Sequence, residues 1–389
     1  MDFEYTPEEQ SFREEVRTFL KDNLPAPKER GPQFLKDWLT KVREKRWVGF
    51  SWPVEVGGGG GGLIEQSILK EEMALAKAPP LGTDMMGLAW VGPGIIQYGT
   101  EEQKQRFIPY ILDSEGTFCT GYSEPNYGSD LASIQTKAVL TGDHYVVNGQ
   151  KTWTTLAPWA DWIILLTRTD FDVAVKHEGI TCLLVDMKSD GVDVRPIENM
   201  AGDKHFAEIF FTDVKVPVNQ RLGEEGKGWA VTVSALANER SSIGEVTQMF
   251  GKLDTLKELV KHTRKAGKPA REDPLVRRKL ARFEAQIAAM KYNGLRYLTK
   301  QLNDEPLSSE TSVNKLHRAS LEIEMDDFAM ELNGQAGLEL NGGAHAIEGG
   351  KWTKAALNWP NVVIGGGTPN IQRNIIAERI LGLPKDGSD

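Results

Sequence analysis

The sequence predicts an α+β protein of several domains: a helical N-terminal domain, a middle antiparallel β-barrel or β-sandwich domain, and a C-terminal four-helix-bundle domain. Three observations predict this order. Apolar residues recur at helical spacing in the first third of the chain, short β-rich runs separated by turns follow, and helical spacing then returns. We place the three domains at residues 1–115, 116–225 and 226–389.

The composition is typical of a globular enzyme or binding protein. The 389 residues are 40% hydrophobic and 26% charged, and the net charge of −9 argues against a general nucleic-acid binder. Two cysteines, Cys119 and Cys182, do not make a disulfide framework. No run of about 18 apolar residues occurs. The start MDFEYTPEEQ also lacks a basic segment followed by an apolar one. We therefore expect a cytoplasmic protein without a membrane span.

The first helix carries the clearest local signals. Thr6 suits the N-cap, Pro7 the first helical position, and Glu9 the third position of a capping box. Apolar residues then recur at helical spacing until Pro25 ends the run. A second helix is predicted for residues 33–45. Further helices are predicted in LIEQSILKEEMALA and TEEQKQRFIPYIL.

The middle domain consists of β-rich runs with TGD, NG and SDGVD turns between them. The runs include SIQTKAVLTGDHYVVNGQKTW, WIILLTRT, ITCLLVDM, VDVRPI and HFAEIFFTDVKVP. Several strands within so short a stretch favour an antiparallel barrel or sandwich. Helical periodicity returns after GEEGKGW and includes the long run PLVRRKLARFEAQIAAMKYNGLRYLTKQL.

The six consecutive glycines, Gly57 to Gly62, do not predict a nucleotide site. A phosphate-binding loop needs a Lys-Ser/Thr pair after the glycines, and here LIEQS follows. We interpret the run as a flexible turn. The six histidines are scattered, with neither an HExxH motif nor paired cysteines, so no metal site is predicted. A GxSxG nucleophile elbow is also missing.

The stretch VIGGGTPNIQR, residues 363–373, predicts a glycine loop that leads into a helix. Thr368 suits the N-cap of that helix and Pro369 its first position. Such an approach to a helix N-terminus favours an anion, most often a phosphate. Nothing in GGGT can accept a proton, however, so a catalytic base would have to come from elsewhere.

Two stretches of the middle domain, FCTGYSEPNYGSDLASI and NGQKTWTTLAPWADW, place hydroxyls, free N–H groups and an indole at strand ends. Such groups can form a wall for a flat, hydrogen-bonding heterocycle, and an isoalloxazine ring fits that description. Solvated turns rich in threonine have the same composition, so the residues alone leave both interpretations open.

Four segments resemble signatures of the acyl-CoA dehydrogenase family: GYSEPNYGSDLAS, VNGQKTWTT, FFTDVKVP and IQRNIIAERILG. They follow the family's order across nearly the whole chain and the same helix–β–helix plan. The resemblance implies an enzyme that binds FAD and dehydrogenates an acyl-CoA thioester between Cα and Cβ. It also implies an electron-transferring flavoprotein as acceptor and a homotetramer in which a neighbouring chain completes the flavin site.

The resemblance assigns cofactor contacts residue by residue. Tyr122 and Ser123 would contact the pyrimidine side of the flavin, Thr155 would hydrogen-bond near N5, and Trp153 would lie beside the ring. The residues that would line the FAD pyrophosphate and the pantetheine path are Gly128 and Ser129.

Further cofactor contacts are implied in the C-terminal domain. Thr368 and Asn370 match residues that hold FAD phosphates, and Gly334 and Gln335 fall where the partner chain meets the adenosine half. The segment MELNGQAG lacks the family's double glycine there, so that match is partial. The family's Arg-x-x-Phe-Gly segment is also poorly matched, because TRKAGKP offers only Arg264, slightly out of place.

The catalytic base is the main departure from the family pattern. Many members carry a glutamate where this chain has Gly366, whose N–H could still donate to the thioester oxygen. A minority supplies the base from a Glu-Arg pair on a distant helix, and Glu239 with Arg240 matches that pair in SALANERSSIG. Arg240 and the weaker candidate Arg379 would support the substrate, and Glu245 is the alternative base.

Two other functions stay open at this point. An acyl-CoA oxidase of the same fold would differ only in oxygen access to the reduced flavin. A partner subunit of a hetero-oligomer, poor in FAD or non-catalytic, would resemble relatives that act on steroid side-chain thioesters. The sequence does not determine acyl length, branching or steroid character. A base on the internal helix favours branched or long acyl groups over short straight ones.

Overall fold

The structure is a computed structural model that describes residues 5–238, 243–303, 305, 309–340 and 343–385. The chain forms two compact units. One unit contains Asn23–Gly62 and Pro79–Arg240 and carries the β-sheet. The other combines Met1–Asp22, Leu63–Ala78 and Ser241–Asp389 and is mainly helical.

Twelve α-helices are described: α1 Pro7–Asn23, α2 Pro32–Glu44, α3 Leu63–Leu75, α4 Gly92–Tyr98, α5 Glu101–Leu112, α6 Gly228–Asn238, α7 Ile243–His262, α8 Pro274–Leu302, α9 Thr311–Asn333, α10 Lys351–Leu357, α11 Trp359–Ile364 and α12 Pro369–Ile375. Two π-helices, Gly87–Val91 and Ile376–Ile380, adjoin α4 and α12.

Ten strands are described: β1 Phe118–Gly121, β2 Lys137–Thr141, β3 His144–Thr155, β4 Trp162–Arg168, β5 Ile180–Asp186, β6 Val192–Ile197, β7 Phe206–Pro217, β8 Arg221–Leu222, β9 Arg264–Lys265 and β10 Lys268–Pro269. The helix–β–helix order predicted from the sequence is confirmed.

The start of α1 has the predicted chemistry. The N–H of Glu9 donates to the Thr6 hydroxyl (3.2 Å), and the N–H of Thr6 donates to the Glu9 carboxylate (2.7 Å). This reciprocal capping box satisfies two donors that the first helical turn would otherwise leave unpaired. Within the helical unit, Arg13 of α1 forms an ion pair of 2.6 Å with Glu71 of α3.

The main sheet has eight strands, seven in the order β6-β7-β3-β2-β4-β5-β8 with β1 beside β4. Most neighbours are antiparallel, as predicted. The short hairpin between β2 and β3 turns at Gly142 and Asp143, where Gly142 has a φ of +62°. Glycine takes this left-handed conformation without the penalty that a Cβ imposes.

Two parallel pairings were not predicted, and they create the loop that matters for function. β1 pairs along one edge of β4 from Phe118 to Gly121, and β2 joins the same edge only at Lys137, opposite Arg168. The intervening chain, residues 122–136, must therefore leave the sheet between the ends of β1 and β2. We call it the 122–136 loop.

Strand β4 is buried along its whole length and packs on both faces. Ile164 and Leu166 belong to a core shared with α4 and α5, whereas Ile163 and Leu165 belong to the core on the opposite face. Alternate residues of a strand point to opposite faces, so a continuous apolar run suits a strand that is covered on both sides.

The helical unit has its own core, formed mainly by α7, α8 and α9. Core residues recur at helical spacing on these helices; they include Leu253, Leu256, Phe283, Ile287, Met325 and Phe328. The aromatic rings of Phe283 and Phe328 meet edge to face with 5.9 Å between centroids. This close packing joins helix α8 to helix α9.

The six-glycine run is packed and hydrogen-bonded, which differs from the flexible turn inferred from sequence. The N–H of Gly60 donates to the Trp52 carbonyl (2.9 Å) and that of Gly61 to the Phe50 carbonyl (2.8 Å). A Cβ on Gly58 would lie 2.3 Å from the Trp52 carbonyl oxygen. Glycine is needed here because backbone approaches backbone too closely for a side chain, and these N–H groups are not available to a phosphate.

Among the helices that the structure describes, none combines the length and the apolar character needed to cross a membrane.

Candidate active site

The 122–136 loop is held to the sheet by a buried arginine. The Arg168 guanidinium donates to the carbonyls of Ala132, Ile134 and Lys176, the last at 2.6 Å. Arg168 is only 4% exposed, and burial lowers the pKa of its guanidinium. Two of these three carbonyls, those of Ala132 and Ile134, belong to the 122–136 loop, so Arg168 joins the loop to strand β4.

A buried ion pair between Lys151 and Glu124 supports the start of the 122–136 loop. The Lys151 ammonium lies 2.9 Å from the Glu124 carboxylate and donates to the Tyr122 carbonyl at 3.1 Å. Glu124 also accepts the N–H groups of Gln135 (2.7 Å) and Thr136 (2.8 Å). The pair therefore connects both ends of the 122–136 loop to strand β3.

Burial shifts the ionisation of this pair in a specific way. Burial would raise the pKa of the Glu124 carboxyl, but the Lys151 ammonium and the hydrogen bonds to Glu124 hold that pKa below its ordinary value. Burial lowers the pKa of Lys151 to about 8, although the Glu124 carboxylate opposes the shift. At neutral pH we therefore treat the pair as ionised.

Asp84 joins the π-helix Gly87–Val91, which carries Trp90, to strand β1. Asp84, which is 1% exposed, accepts the N–H of Gly87 at 2.8 Å and of Phe118 at 3.2 Å. These bonds join the π-helix Gly87–Val91 to β1. On that π-helix, Trp90 stacks on Tyr122 with 6.5 Å between ring centroids and 7° between planes. Burial raises the pKa of Asp84 to about 6, even though both N–H groups favour its charged form.

Trp153 is displayed by an irregularity in β3. Lys151 pairs with Ile209 and Thr154 with Ala207, so the two residues between them on β3 face a single residue on β7. This bulge puts Trp153 at a left-handed φ of +57° and leaves its side chain 58% exposed, with its edge toward Phe206. A tryptophan in this conformation costs energy, and such outliers cluster at functional sites.

Hydrogen-bonding groups gather beside Trp153. The N–H of Thr152 donates to the Ser123 carbonyl at 2.9 Å, which brings the start of the loop next to the bulge. Throughout the described part of the chain, no hydrogen bond uses the N–H or hydroxyl of Ser123 or the hydroxyl of Thr155. These free donors lie beside an exposed indole.

Gly128 and Ser129 follow a tight turn in which Glu124 and Tyr127 exchange two backbone hydrogen bonds of 3.1 and 3.0 Å. Both residues are exposed, and a Cβ on Gly128 would have no atom within 4 Å. Both residues are therefore accessible to a ligand.

The glycine loop, residues 365–367, leads into helix α12 as predicted, and helix α11 precedes it. The Thr368 hydroxyl accepts the N–H of Ile371 at 3.4 Å, which makes it the N-cap of α12. The Gln372 amide donates to the carbonyl of Gly366 at 2.9 Å. The Lys315 ammonium of α9 donates to the carbonyls on both sides of the loop.

Gly366 is the residue that the family resemblance aligns with a catalytic glutamate. Its φ is +67° and it is exposed. The N–H groups of Gly366 and Gly367 have no acceptor among the residues that the structure describes. The loop thus offers two free donors and no base.

The remaining predicted site residues lie at the surface of the helical unit. Gly334 ends α9 with a φ of +55°, and Gln335 follows it. Asn370 lies in the first turn of α12, and Arg379 lies on the π-helix Ile376–Ile380. Arg264 is folded onto its own hairpin, where its guanidinium donates to the Gly267 carbonyl at 2.5 Å.

The candidate bases are not placed by the structure. Glu239 and Arg240 lie outside the described residues, immediately after the last residue of α6, Asn238. Glu245 is in the first turns of α7, but its side chain lies outside the described part of the chain.

Sequence reasoning missed four supporting residues: Glu124 and Lys151, which hold the 122–136 loop, and Lys315 and Gln372, which hold the glycine loop. A lysine within the strand segment VVNGQKTW and a glutamate in YSEPN were visible signals. A charged side chain among strand residues is either exposed or paired, and nothing local tells which.

Both free thiols, Cys119 and Cys182, are buried, and burial raises the pKa of each.

Comparison with known families finds three matches along the chain. The acyl-CoA dehydrogenase N-terminal domain matches residues 6–115, the middle domain matches residues 119–214, and the C-terminal domain matches residues 226–381.

Individual relatives match almost the entire chain. Acyl-CoA dehydrogenase IpdE1 of Mycolicibacterium smegmatis is 36% identical, over 97% of this chain and 99% of the relative. A chain of the ChsE4–ChsE5 complex from Mycobacterium tuberculosis has a TM-score of 0.83 and 32% identity, covering 99% of this chain and 100% of that one. A chain of the Tcur3481–Tcur3483 steroid ACAD also has a TM-score of 0.83, with 30% identity and coverage of 99% and 100%. The chain therefore belongs to the acyl-CoA dehydrogenase family, as an FAD-dependent enzyme that dehydrogenates acyl-CoA thioesters.

Proposed function

We propose that Glu239 is the base that removes the α-proton of the acyl-CoA thioester. The observation that carries the proposal is the glycine loop. At the position of the usual glutamate it has Gly366, and no residue from Gly365 to Thr368 has an ionisable side chain. The Glu-Arg pair at Glu239 and Arg240 matches the alternative position for the base in the family.

The reaction needs hydrogen-bond donors for the thioester oxygen and an acceptor for the α-proton. A thioester α-proton is a weak acid, so the carbonyl oxygen needs fixed hydrogen bonds as negative charge develops on it. We assign one of these bonds to the free N–H of Gly366. The Glu239 carboxylate takes the α-proton, and the Cα–H bonding electrons form the new double bond. When bound, FAD would supply the acceptor for the hydride that leaves Cβ.

The assigned FAD contacts remain those that the sequence suggests. Ser123 and Thr155 offer unused donors, and Trp153 offers an exposed ring. Tyr122, together with Ser123, is assigned to the pyrimidine side of the flavin. We propose the same role for the residues that lie toward the phosphates and adenosine; these are Gly128, Ser129, Gly334, Gln335, Thr368 and Asn370. Arg240 and Arg379 are proposed to contact the CoA substrate.

The assignment of the base is tested by Glu239→Gln beside Glu245→Gln, because both variants remove one carboxylate with little change in volume. Acyl-CoA oxidation is measured with a dye acceptor, and FAD content is read from the visible spectrum. We expect Glu239→Gln to keep its FAD and to lose roughly 10²–10⁴-fold in turnover. The Glu245→Gln control stays near wild type. The reverse pattern would transfer the assignment to Glu245.

We propose a bulky acyl group as substrate, either branched or carrying a steroid. Two similar chains come from a steroid acyl-CoA dehydrogenase and from a ChsE4–ChsE5 complex, and these names support the direction. Dye-coupled kinetics over straight, branched and steroid side-chain CoA thioesters decides among them. A kcat/KM that is highest for butyryl-CoA would refute the proposal.

We propose a homotetramer in the cytoplasm with an electron-transferring flavoprotein as acceptor. A hetero-oligomer is the alternative, because one similar chain was solved within a complex of two differently named proteins. Light scattering on the purified chain, together with the FAD content per chain, separates the two. A colourless chain that gains FAD only with a second subunit would refute the homotetramer.

The acceptor has its own test. After anaerobic reduction by substrate, the enzyme is mixed either with air or with an electron-transferring flavoprotein. We expect fast reoxidation only by the flavoprotein. Fast reoxidation by oxygen with formation of hydrogen peroxide would instead indicate an oxidase.

A further inference from the structure

Lys315 contacts the glycine loop from helix α9. Its ammonium donates to the carbonyl oxygens of Val362 (3.4 Å), Val363 (3.0 Å) and Gly367 (2.8 Å). The first two belong to the last turn of α11, where carbonyls have no partner within the helix. The third belongs to Gly367, the last residue of the glycine loop. One charged side chain thus joins the two ends of the loop.

The carbonyls of the loop are consequently turned inward. Gln372, which is 6% exposed, binds the Gly366 carbonyl at 2.9 Å, while Lys315 binds that of Gly367. Each peptide plane has its N–H and its C=O on opposite sides. A peptide plane joins the C=O of one residue to the N–H of the next, so the Gly366 N–H shares its plane with the Gly365 carbonyl. The planes on either side are held, because the Gly365 N–H donates to the Asn361 carbonyl (2.9 Å) and Gln372 binds the Gly366 carbonyl. Lys315 fixes the carbonyls before and after these planes, and this restricts the orientation of the unused Gly366 N–H between them.

The backbone of the loop needs this support. Gly366 and Gly367 have φ values of +67° and +95°, and glycine is the residue with the most alternative conformations in solution. Two adjacent glycines without side-chain contacts would sample many orientations of their N–H groups. Bonds from an ammonium are stronger than those between neutral groups, so Lys315 can hold one orientation.

We propose that Lys315 is a positioning residue for catalysis: it holds the glycine loop so that the Gly366 N–H faces the thioester oxygen. The inference rests on the proposed role of Gly366. It adds a residue that touches neither the substrate nor FAD and acts through three backbone carbonyls.

The test uses the FAD-loaded enzyme with Lys315→Met, Lys315→Gln and Lys315→Arg, and with Lys257→Met as control. Lys257 is a partly exposed lysine of α7 whose ion pairs with Asp254 and Glu284 contribute little. The first readout is the red shift in absorbance of an aryl-acryloyl-CoA on binding, which reports polarisation of its carbonyl and needs no proton transfer. The second readout is the separation of kcat from KM.

We expect Lys315→Met to lose the red shift and about a hundredfold in kcat, with KM much less affected, because small misplacements of positioning groups have effects of that size. Lys315→Arg retains both, Lys315→Gln is intermediate, and Lys257→Met matches wild type. If Lys315→Met does not fold, the order of the Gln and Arg variants decides.

Two results would overturn the inference, and they are distinguishable. A red shift that persists in Lys315→Met and Lys315→Gln, with kcat within twofold of wild type, would refute the role of Lys315 alone. A wild-type enzyme without any red shift would refute the role of the Gly366 N–H, and with it the positioning role of Lys315. Neither result depends on Glu239.

Discussion

Removal of Lys151 should destabilise the protein by leaving Glu124 buried without its counter-ion. The perturbation is Lys151→Met, which keeps the length of the side chain and removes the ammonium. Both partners are almost inaccessible, at 0% exposure for the Lys151 side chain and 6% for that of Glu124. Breaking a buried pair by removing one partner typically costs about 3–5 kcal/mol.

That cost translates into a measurable shift of the melting temperature. For a chain of 389 residues, about 4 kcal/mol corresponds to a Tm lowered by about 5 °C. Glu124→Gln should have a similar effect, because it leaves the buried ammonium with neutral oxygen acceptors and no counter-ion. The double variant should not lose twice as much, since no buried charge is left without a partner.

The assay is thermal unfolding at pH 7 followed by tryptophan fluorescence, at fixed protein and FAD concentrations, for the wild type, both single variants and the double variant. With a coupling energy of about 2 kcal/mol, we expect the double variant to melt about 7 °C below wild type, rather than the roughly 10 °C that additive losses would give. FAD should also dissociate more readily from Lys151→Met, because the start of the 122–136 loop loses its support. Additive shifts of Tm would refute the reasoning, as they would show that the two side chains do not act as a pair.

Two further predictions concern stability. Burial raises the pKa of Asp84 from 3.8 to about 6, so between these two values the folded state binds a proton that the unfolded state does not. Lowering the pH from 7 to 5 should therefore stabilise wild type relative to Asp84→Asn by about 1 kcal/mol. A difference in Tm between the two proteins that is the same at both pH values would contradict this. Gly58→Ala should destabilise the protein by about 1–3 kcal/mol through overpacking, because its Cβ would lie 2.3 Å from the Trp52 carbonyl oxygen. The control Gly251→Ala, with no atom within 4 Å of its Cβ inside helix α7, should melt at or slightly above wild type, because alanine is the better helix former. A Gly58→Ala variant that melts like this control would show that the glycine run is not packed.

The features predicted correctly from sequence are those fixed by neighbouring residues. The capping box of Thr6 and Glu9 and the N-cap at Thr368 depend on three or four consecutive residues, and both are present. The turn at Gly142 likewise follows from its own residues. Local chemistry determines these elements before any tertiary contact forms.

The supports of the site could not be predicted because they join distant parts of the sequence. Lys315 and Gly367 are separated by 52 positions, and Lys151 and Glu124 by 27. Periodicity shows which face of an element is apolar, but not which buried lysine meets which carbonyl. The parallel pairing of β1 with β4 has the same origin, because it depends on where the 122–136 loop leaves the sheet.

Trp153 shows a third kind of result. The sequence indicated an aromatic residue at a strand end, and the structure adds the bulge and the left-handed φ of +57° that expose its ring. A β-rich run such as VVNGQKTWTT gives no warning of a bulge beyond its NG pair. The roles of the site residues were inferred from family resemblance and stay predictions.

The rate of flavin reduction measures the central claim most directly. Anaerobic stopped-flow mixing of FAD-loaded Glu239→Gln with an acyl-CoA that the wild type oxidises should show binding of the thioester but bleaching of the flavin band slowed by several orders of magnitude, while Glu245→Gln bleaches at the wild-type rate. Bleaching of Glu239→Gln within about tenfold of wild type, which is below the usual range for loss of a general base, would show that another group takes the α-proton.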